Sequence, residues 1–195
     1  MEREIDDARC RLLVRVPAAP SPSLRDALQV LAAADRLAGL VAEADAVPEG
    51  LAASLPAALL LAGAFEPEPG ADGVIVTLGA DAEMEVTALR RAWGRPGIIV
   101  VAVGTSRHVA MEAGEFGCDV VLFDGSLDSV SDCLHWWQQL FVLPCAARAE
   151  AGSISALVRA GADFLLVDGD WVNADLAHEM AAAERLSTSA PTASN

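Results

Sequence analysis

The sequence contains no lysine and no tyrosine, and all 13 of its basic residues are arginine. The absence of lysine excludes Schiff-base chemistry, a lysine general base and a lysine clamp for phosphate. A bound phosphate must therefore depend on arginine, backbone N–H groups or a metal ion. The formal net charge is −15, so the chain also lacks the basic footprint that nucleic-acid binding requires.

Long apolar runs are missing as well, because none approaches the ~20 residues that a membrane span needs. The N-terminus is charged where a signal peptide is apolar. We therefore expect a cytoplasmic protein that does not associate with membranes. The four cysteines lie far apart and form neither a zinc motif nor a disulfide framework. Their spacing predicts buried free thiols.

Short apolar runs alternate with helical stretches eight times along the chain. The runs are mostly continuous, which is typical of parallel strands covered on both faces. Strict strand–helix alternation indicates an α/β fold, and eight units predict a closed (β/α)₈ TIM barrel. An open doubly wound sheet is the alternative. The predicted strands cover residues 10–16, 37–42, 57–62, 73–77, 98–103, 119–123, 144–148 and 164–167.

Most of the connecting stretches predict helices. The stretch 65–70 after the third strand is too rich in proline for an ordinary helix. We therefore expect a compact barrel whose third helix is reduced or missing. One domain covers 1–186, and the small, polar tail 187–195 is predicted to be disordered. The predicted helices cover residues 24–34, 81–93, 106–115, 127–141, 153–160 and 174–186, with a short one near 48–54.

One local pattern occurs three times: a glycine, then an aspartate immediately before a strand. The aspartates are Asp72, Asp119 and Asp163. The N-terminal ends of barrel strands form the face that serves stability rather than chemistry. We therefore assign these three acids to structure.

Catalytic groups of this fold come from the opposite, C-terminal ends of the strands. The turns after the seventh and eighth strands, where barrels often bind phosphate, contain Arg148, Gly152, Gly169 and Asp170. Together with Thr105 and Ser106 after the fifth strand, these residues are candidates for a phosphate-binding site, and two solvated turns are the alternative. The polar positions at strand ends are Arg15, Glu43, Thr77, Thr105, Ser106, Arg107, His108, Asp124, Arg148, Glu150, Asp168, Asp170 and Trp171.

Three of these residues are candidates for a catalytic base. Asp124 ends the sixth strand, although an Asp-Gly turn is the simple alternative. His108 stands at a helix N-terminus, where the helix dipole favours neutral imidazole; a surface or capping histidine is its alternative. Asp168 ends the eighth strand. Trp136 and Trp137 lie within a helix, where they predict packing or the contact of a homodimer.

The second half of the chain resembles the thiamine phosphate synthase superfamily. The segments 106–123, 134–145 and 160–164 carry the likeness, which is greatest to a divergent bacterial branch. Relatives in this superfamily include a thiazole tautomerase. The resemblance implies a (β/α)₈ barrel and a transferase of thiamine biosynthesis. It also implies a reaction with Mg²⁺ in which a pyrimidine diphosphate is coupled to a thiazole phosphate and pyrophosphate is released.

Several positions depart from the pattern of that superfamily. Residues 40–45 lack its Gln-x-Arg-x-Lys, and Leu61 to Gly63 replace an Asn-Asp whose aspartate binds Mg²⁺. Residues 124–127 replace Thr-x-Thr-Lys, and 147–150 replace the Gly-Gly-Ile that holds phosphate. Key catalytic residues are thus missing, and the implied Mg²⁺ has no matched ligands.

Three hypotheses therefore stay open. The protein is a synthase-like enzyme with weak or lost activity, a non-catalytic ligand-binding or regulatory barrel, or a different isomerase- or aldolase-type enzyme. In each of them the expected partner is a small phosphorylated molecule.

Overall fold

The computed structural model describes residues 10–48, 50–79 and 81–188. Within them, eight parallel strands close into a barrel in chain order, and β8 pairs with β1. The closed (β/α)₈ barrel is confirmed, and the open-sheet alternative is wrong. The strands are β1 (Arg11–Arg15), β2 (Leu37–Glu43), β3 (Ala58–Ala62), β4 (Gly73–Thr77), β5 (Ile98–Gly104), β6 (Val120–Phe123), β7 (Cys145–Arg148) and β8 (Phe164–Asp168).

Six α-helices surround the described part of the barrel. No helix follows β3 within the described residues, as predicted, and β2 is followed by two 3₁₀ turns, Ala44–Ala46 and Ala52–Ser54, instead of the short helix predicted near 48–54. The helices are α1 (Pro22–Ala33), α2 (Ala82–Trp93), α3 (Arg107–Glu115), α4 (Leu127–Leu140), α5 (Ile154–Arg159) and α6 (Leu176–Thr188).

Helix α6 ends two residues beyond the predicted domain end at 186. The remaining part of the predicted tail, 189–195, lies outside the described residues. No described helix is both long enough and apolar enough to cross a bilayer.

Short polar side chains fix where four of the helices begin. In each case the side-chain oxygen of the N-cap residue accepts a hydrogen bond from the backbone N–H three residues later, which satisfies a donor that the helix leaves unpaired. The N-caps are Ser21 of α1, Asp81 of α2, Ser106 of α3 and Ser126 of α4.

The strands bury two separate apolar layers because successive side chains point to opposite faces. The outer layer packs between the barrel and its helices. The inner layer fills the barrel itself. It consists of Leu13, Val41, Leu60, Ile75, Val100, Val120, Leu122, Ala146 and Leu166, with Ala38, Ala58, Ala62, Ile98, Ala102 and Phe164 packed against them. The interior is therefore a packed core, which leaves the two open ends of the barrel for polar groups.

The aspartates before strands brace the N-terminal end of the barrel. Asp72 accepts a hydrogen bond from the backbone N–H of Leu59 at 2.8 Å. Asp119 accepts one from Ile99 at 2.7 Å. Asp163 accepts one from Cys145 at 2.9 Å. Each carboxylate therefore caps the start of the strand that precedes its own, so β3, β5 and β7 are held in the same way.

The first strand receives an equivalent cap from the last helix. Glu184 of α6 accepts a hydrogen bond from the Cys10 backbone N–H at 3.0 Å. Its two oxygens also accept bonds from Arg36 at 2.6 and 2.7 Å. The Arg36 guanidinium, buried before β2, donates to the Cys10 carbonyl as well. The hydrogen bond to Glu184 raises the pKa of Arg36 further above its ordinary value.

The two tryptophans of α4 differ in burial and in their contacts. Trp137 is 1% exposed, stacks on Phe141 and donates from its indole nitrogen to the Leu143 carbonyl. It therefore belongs to the core and offers no surface to a second copy. Trp136 is only partly buried, and the Arg107 guanidinium lies 5.0 Å from its ring. A homodimer stays a prediction.

The four cysteines are free and buried, as their spacing predicted. Burial raises the pKa of Cys118 and of Cys145 to about 12. Burial also raises the pKa of Cys10, with the carboxylates of Glu184 and Asp163 adding to the shift. These three thiols therefore stay protonated at neutral pH and are poor nucleophiles.

Candidate functional site

Four consecutive strands end in charged side chains that alternate in sign. Arg148 ends β7, Asp168 ends β8, Arg15 ends β1 and Glu43 ends β2. Each lies two residues after a member of the inner layer, so each shares the inward side of its strand. We call these four residues the rim ladder, because they stand side by side around half of the barrel mouth.

The contacts within the rim ladder differ in strength. Arg148 donates to Asp168 at 3.1 Å. Arg15 lies opposite Asp168 in the strand register, but its nearest ion-pair partner is Glu43 at 3.9 Å, beyond hydrogen-bonding distance. The side chains are 35–57% exposed. Solvent therefore screens both pairs, and their contribution to stability is small. The rim ladder presents hydrogen-bonding groups rather than a fixed salt bridge.

The other half of the mouth carries little charge. Here β3 ends in Ala62, β4 in Thr77 and β5 in Gly104. Asp124 follows β6, and its backbone N–H donates to the Gly104 carbonyl at 3.0 Å. Its carboxylate is exposed and has no hydrogen-bond or ion-pair partner among the described residues. Asp124 is thus an unengaged acid, and it lies beside the Arg148 end of the rim ladder because Phe123 pairs with Ala147 in the strand register.

A cleft of about 240 Å³ opens beside the rim ladder. It lies between the segment after β1 and the turn after β8. Typical pockets for whole small-molecule ligands measure roughly 300–1,000 Å³, so this recess suits one group of a ligand. Its lining residues are Pro17, Ala19, Ser21, Ser23, Leu24, Gly169, Asp170 and Val172.

The predicted phosphate-binding glycines have different surroundings. Gly169 is buried, and a Cβ there would lie 2.8 Å from the Arg15 carbonyl oxygen and 3.0 Å from Leu24. It therefore allows the turn after β8 to pack on the end of β1, and it also lines the cleft. Gly152 occupies an open turn after β7 with φ +89° and nothing near its Cβ position, so its requirement is backbone conformation. Asp170 lines the cleft and is exposed.

The remaining predicted site residues lie on the other side of the mouth. Ser106 caps α3 by accepting from Val109 at 3.3 Å, so this hydroxyl is already engaged. Thr105 is exposed in the turn after β5, next to Gly125, where a Cβ would lie 2.8 Å from its methyl group. Thr105 and Asp124 are therefore neighbours.

His108 belongs to the helix surface. Its side chain is 77% exposed, and its Nε2 lies 3.4 Å from Glu112 one turn further along α3. This contact directs the imidazole along the helix and not toward Asp124 or Asp168. The structure thus brings Arg148 together with Asp168, and Gly169 together with Asp170. The roles predicted for these residues stay predictions.

Sequence reasoning named Arg15 and Glu43 only as strand-end positions. The signal that places them in the mouth is their spacing of two residues from buried Leu13 and Val41. The segment with Ser21 and Ser23 lies beside Gly169 because the closure of the barrel brings the first and last strands together.

The residues of the mouth do not fit the Mg²⁺ that the resemblance implies. Within residues 10–48, 50–79 and 81–188, no group of three or more His, Cys, Asp or Glu side chains is placed to hold a metal ion. The end of β3 offers no carboxylate, since Ala62 is followed by Gly63 and Ala64. Asp168 and Glu43 each face a guanidinium instead.

The fold and the mouth define a (β/α)₈ barrel with a polar C-terminal face and a recess of about 240 Å³ beside it. No family model matches the chain. Two curated relatives, from Erythrobacter litoralis and Hyphomonas neptunium, are named thiamine-phosphate synthase. The first is 38% identical over 130 residues, covering 60% of this chain and 60% of the relative. The second is 38% identical over 118 residues, covering 54% and 52%.

These relatives confirm the resemblance to the thiamine phosphate synthase superfamily. The chain spans between about half and 60% of the length of the curated relatives it matches. Solved structures agree in fold. A crystal structure of the Amycolatopsis orientalis BexX/CysO complex matches with TM-score 0.65 and 13% identity, covering 100% of this chain and 98% of that one.

A second solved structure shares the fold at similarly low identity. It is described as a putative fructose-1,6-biphosphate aldolase from Coccidioides immitis and matches with TM-score 0.58 and 11% identity, covering 92% and 90% of the two chains. At these identities the structural likeness concerns the barrel alone.

Proposed function

We propose that this protein is a thiamine-phosphate-synthase-like barrel that binds a small phosphorylated molecule at its mouth and has weak or no coupling activity. The rim ladder is the observation that carries the proposal. It supplies two guanidiniums for an anionic ligand, and it places each of its two carboxylates beside a guanidinium, with no cluster of acids for a metal ion among the described residues.

Binding is supported by the chemistry of one side of the mouth. Arg148 is partly exposed at the end of β7, and arginine matches the geometry of phosphate oxygens. The cleft beyond β1 and β8 offers a recess next to the same strands. The names of the curated relatives favour a ligand from thiamine biosynthesis, such as thiazole phosphate or thiamine phosphate.

Weak or absent coupling is supported by what the mouth lacks. Displacement of pyrophosphate develops negative charge that must be stabilised in place, and each lost donor costs on the order of 2.7–4 kcal/mol. The chain has no lysine, and residues 40–45 contribute only acids and apolar side chains. The two guanidiniums of the rim ladder are moreover partly neutralised by Asp168 and Glu43.

Calorimetry with thiazole phosphate and thiamine phosphate tests the binding half of the proposal. We expect saturable binding by the wild-type protein and binding about tenfold or more weaker in Arg148→Gln, since a hydrogen bond to a charged group is lost. Arg95→Gln is the matched control, because Arg95 is exposed beyond α2 at the opposite end of the barrel. Absence of binding to every phosphorylated probe would refute this half.

A second candidate function is proton transfer by Asp124, as in an isomerase- or aldolase-type reaction. The unengaged carboxylate of Asp124 beside Thr105 favours it. Deuterium exchange into a bound phosphorylated ligand would reveal such a base. Exchange that persists in Asp124→Asn would exclude Asp124 from the role.

A further inference from the structure

The guanidinium of Arg15 leaves a hydrogen-bond donor without an acceptor. Its Nε is buried and has no partner in the part of the chain that the structure describes. The ion-pair contact of this side chain, from Nη1 to Glu43, spans 3.9 Å and is too long for a hydrogen bond. A buried N–H without a partner costs free energy, and most buried polar groups are satisfied. The Nε–H of Arg15 therefore needs a hydrogen-bond acceptor that the described residues do not supply.

Strand pairing on both sides holds the backbone of Arg15 in place, so its side chain has to lie at the mouth. Arg15 pairs with Val41 of β2 on one side and with Asp168 of β8 on the other. Its carbonyl oxygen lies against Gly169, where a Cβ would approach to 2.8 Å. Only rotations of the side chain can therefore change where Nε points.

The neighbouring acids do not supply the acceptor in this arrangement. Asp168 already accepts from Arg148 at 3.1 Å. Glu43 is 57% exposed and in contact only at long range. The Arg15 side chain is itself 40% exposed at the mouth. A rotation of the side chain would be needed to turn the buried Nε, together with a terminal nitrogen, toward a ligand at the mouth.

We propose that Arg15 is a ligand-binding residue whose Nε–H and a terminal N–H together hold one oxyanion group of a small molecule at the mouth. Nε and the adjacent terminal nitrogen present two parallel donors, which match two oxygens of a phosphate or a carboxylate. The inference deepens the proposed function and rests on it, because the ligand would occupy the same mouth. Arg15 and Arg148 then flank the ligand from β1 and β7, with Asp168 between them.

The arginine Nε–H signals of the ¹⁵N-labelled protein test this directly. The Arg15 signal is assigned by its loss in Arg15→Lys, and the protein is then titrated with inorganic phosphate and, separately, with acetate. We expect a saturable shift of the Arg15 signal with one or both anions, and no shift of the Arg95 signal. A larger response to phosphate indicates a phosphate ester as the ligand, and a larger response to acetate indicates a carboxylate.

Calorimetry with thiamine phosphate also tests Arg15→Lys, a variant that retains the positive charge. Arg15→Lys should bind about tenfold or more weakly, because lysine keeps the charge but loses the paired donors. Suppose that Arg148→Gln weakens binding, that Arg15→Lys does not, and that neither anion shifts the Arg15 signal. The role proposed for Arg15 is then wrong, and the proposed function stands. If no phosphorylated probe binds but the Arg15 signal responds to acetate, the proposed function fails and the oxyanion site remains.

The variant Glu43→Gln tests the remaining explanation, that Glu43 and not a ligand accepts the hydrogen bond from the Arg15 Nε–H. If this variant moves the Arg15 Nε–H signal and the anions do not, Glu43 is the missing acceptor and the proposal is overturned. If the anions move the signal equally in wild type and in Glu43→Gln, the acceptor is the ligand.

Discussion

Glu184 and Arg36 form a bidentate ion pair that joins the last helix to the start of the first two strands. The two oxygens of Glu184 lie 2.6 and 2.7 Å from two nitrogens of Arg36, and one of these oxygens also accepts from the Cys10 backbone. Side-chain exposure is 6% for Arg36 and 25% for Glu184. Removing one partner leaves a buried charge without compensation.

Glu184→Gln should therefore lower the free energy of unfolding by about 3 kcal/mol. Urea denaturation of this variant and wild type measures the difference. Glu179→Gln, on an exposed position of the same helix, is the control and should change stability by less than about 0.5 kcal/mol. An equal and small effect of both substitutions would show that the ion pair does not anchor α6.

The strand-capping aspartates predict a second stability effect. Asp163→Ala leaves the Cys145 backbone N–H without its acceptor and also removes a partner of Gln138. We expect a loss of about 1–3 kcal/mol, the cost of an unsatisfied buried donor. Asp26→Ala on the exposed side of α1 should be nearly neutral. Equal stability of the two variants in thermal denaturation would contradict the capping role.

The absence of lysine and tyrosine makes the cysteine titration unusually easy to isolate. Between pH 9 and 12 the thiols are the side chains that ionise in the unfolded chain. Burial raises the pKa of Cys118 and Cys145 from an ordinary 9.0 to about 12. Because the folded state holds these protons more tightly, stability is retained below pH 9 and falls as the pH rises from 9 toward 12.

Each shifted thiol should contribute a slope of about 1.4 kcal/mol per pH unit in that window. Urea denaturation at several pH values measures it. The double variant Cys118→Ala and Cys145→Ala should show a shallower slope than wild type, whatever its stability at pH 8. An unchanged slope would mean that these thiols ionise in the folded protein as readily as in the unfolded chain.

The two glycines near the mouth should respond differently to alanine. Gly169→Ala forces the turn after β8 away from Arg15, because its Cβ would lie 2.8 Å from the Arg15 carbonyl oxygen. It should cost about 1–3 kcal/mol and weaken ligand binding. Gly152→Ala adds only backbone strain at φ +89° and should cost about 1–2 kcal/mol with binding retained. If Gly152→Ala lost ligand binding and Gly169→Ala retained it, Gly152 and not Gly169 would be the glycine that ligand binding requires.

The barrel could be predicted from sequence because its strands are continuous apolar runs separated by capped helices. Ser106 and Ser126 precede their helices at the positions that capping requires. The 3₁₀ turns after β2 were harder to predict, because short segments rich in alanine favour a helix while the structure keeps only single turns there.

The candidate site was predictable only in part. Strand ends could be located, so Arg148, Asp168 and Asp124 were placed at the mouth. Which charged residues lie next to each other could not be predicted from their spacing in the sequence. The closure of the barrel puts Arg15 beside Asp168, which is more than 150 positions away. The turn of His108 toward Glu112 likewise depends on a side-chain contact that the helix pattern allows but does not require.

We propose above all that this barrel retains a phosphorylated-ligand site while its coupling chemistry is weak or lost. The most direct measurement combines the purified protein with the pyrimidine diphosphate, the thiazole phosphate and Mg²⁺, and follows the formation of thiamine phosphate beside calorimetric binding of the same compounds. We predict binding of at least one phosphorylated compound without turnover at ordinary enzyme rates. Thiamine phosphate formation at roughly 1 s⁻¹ or faster would contradict the claim.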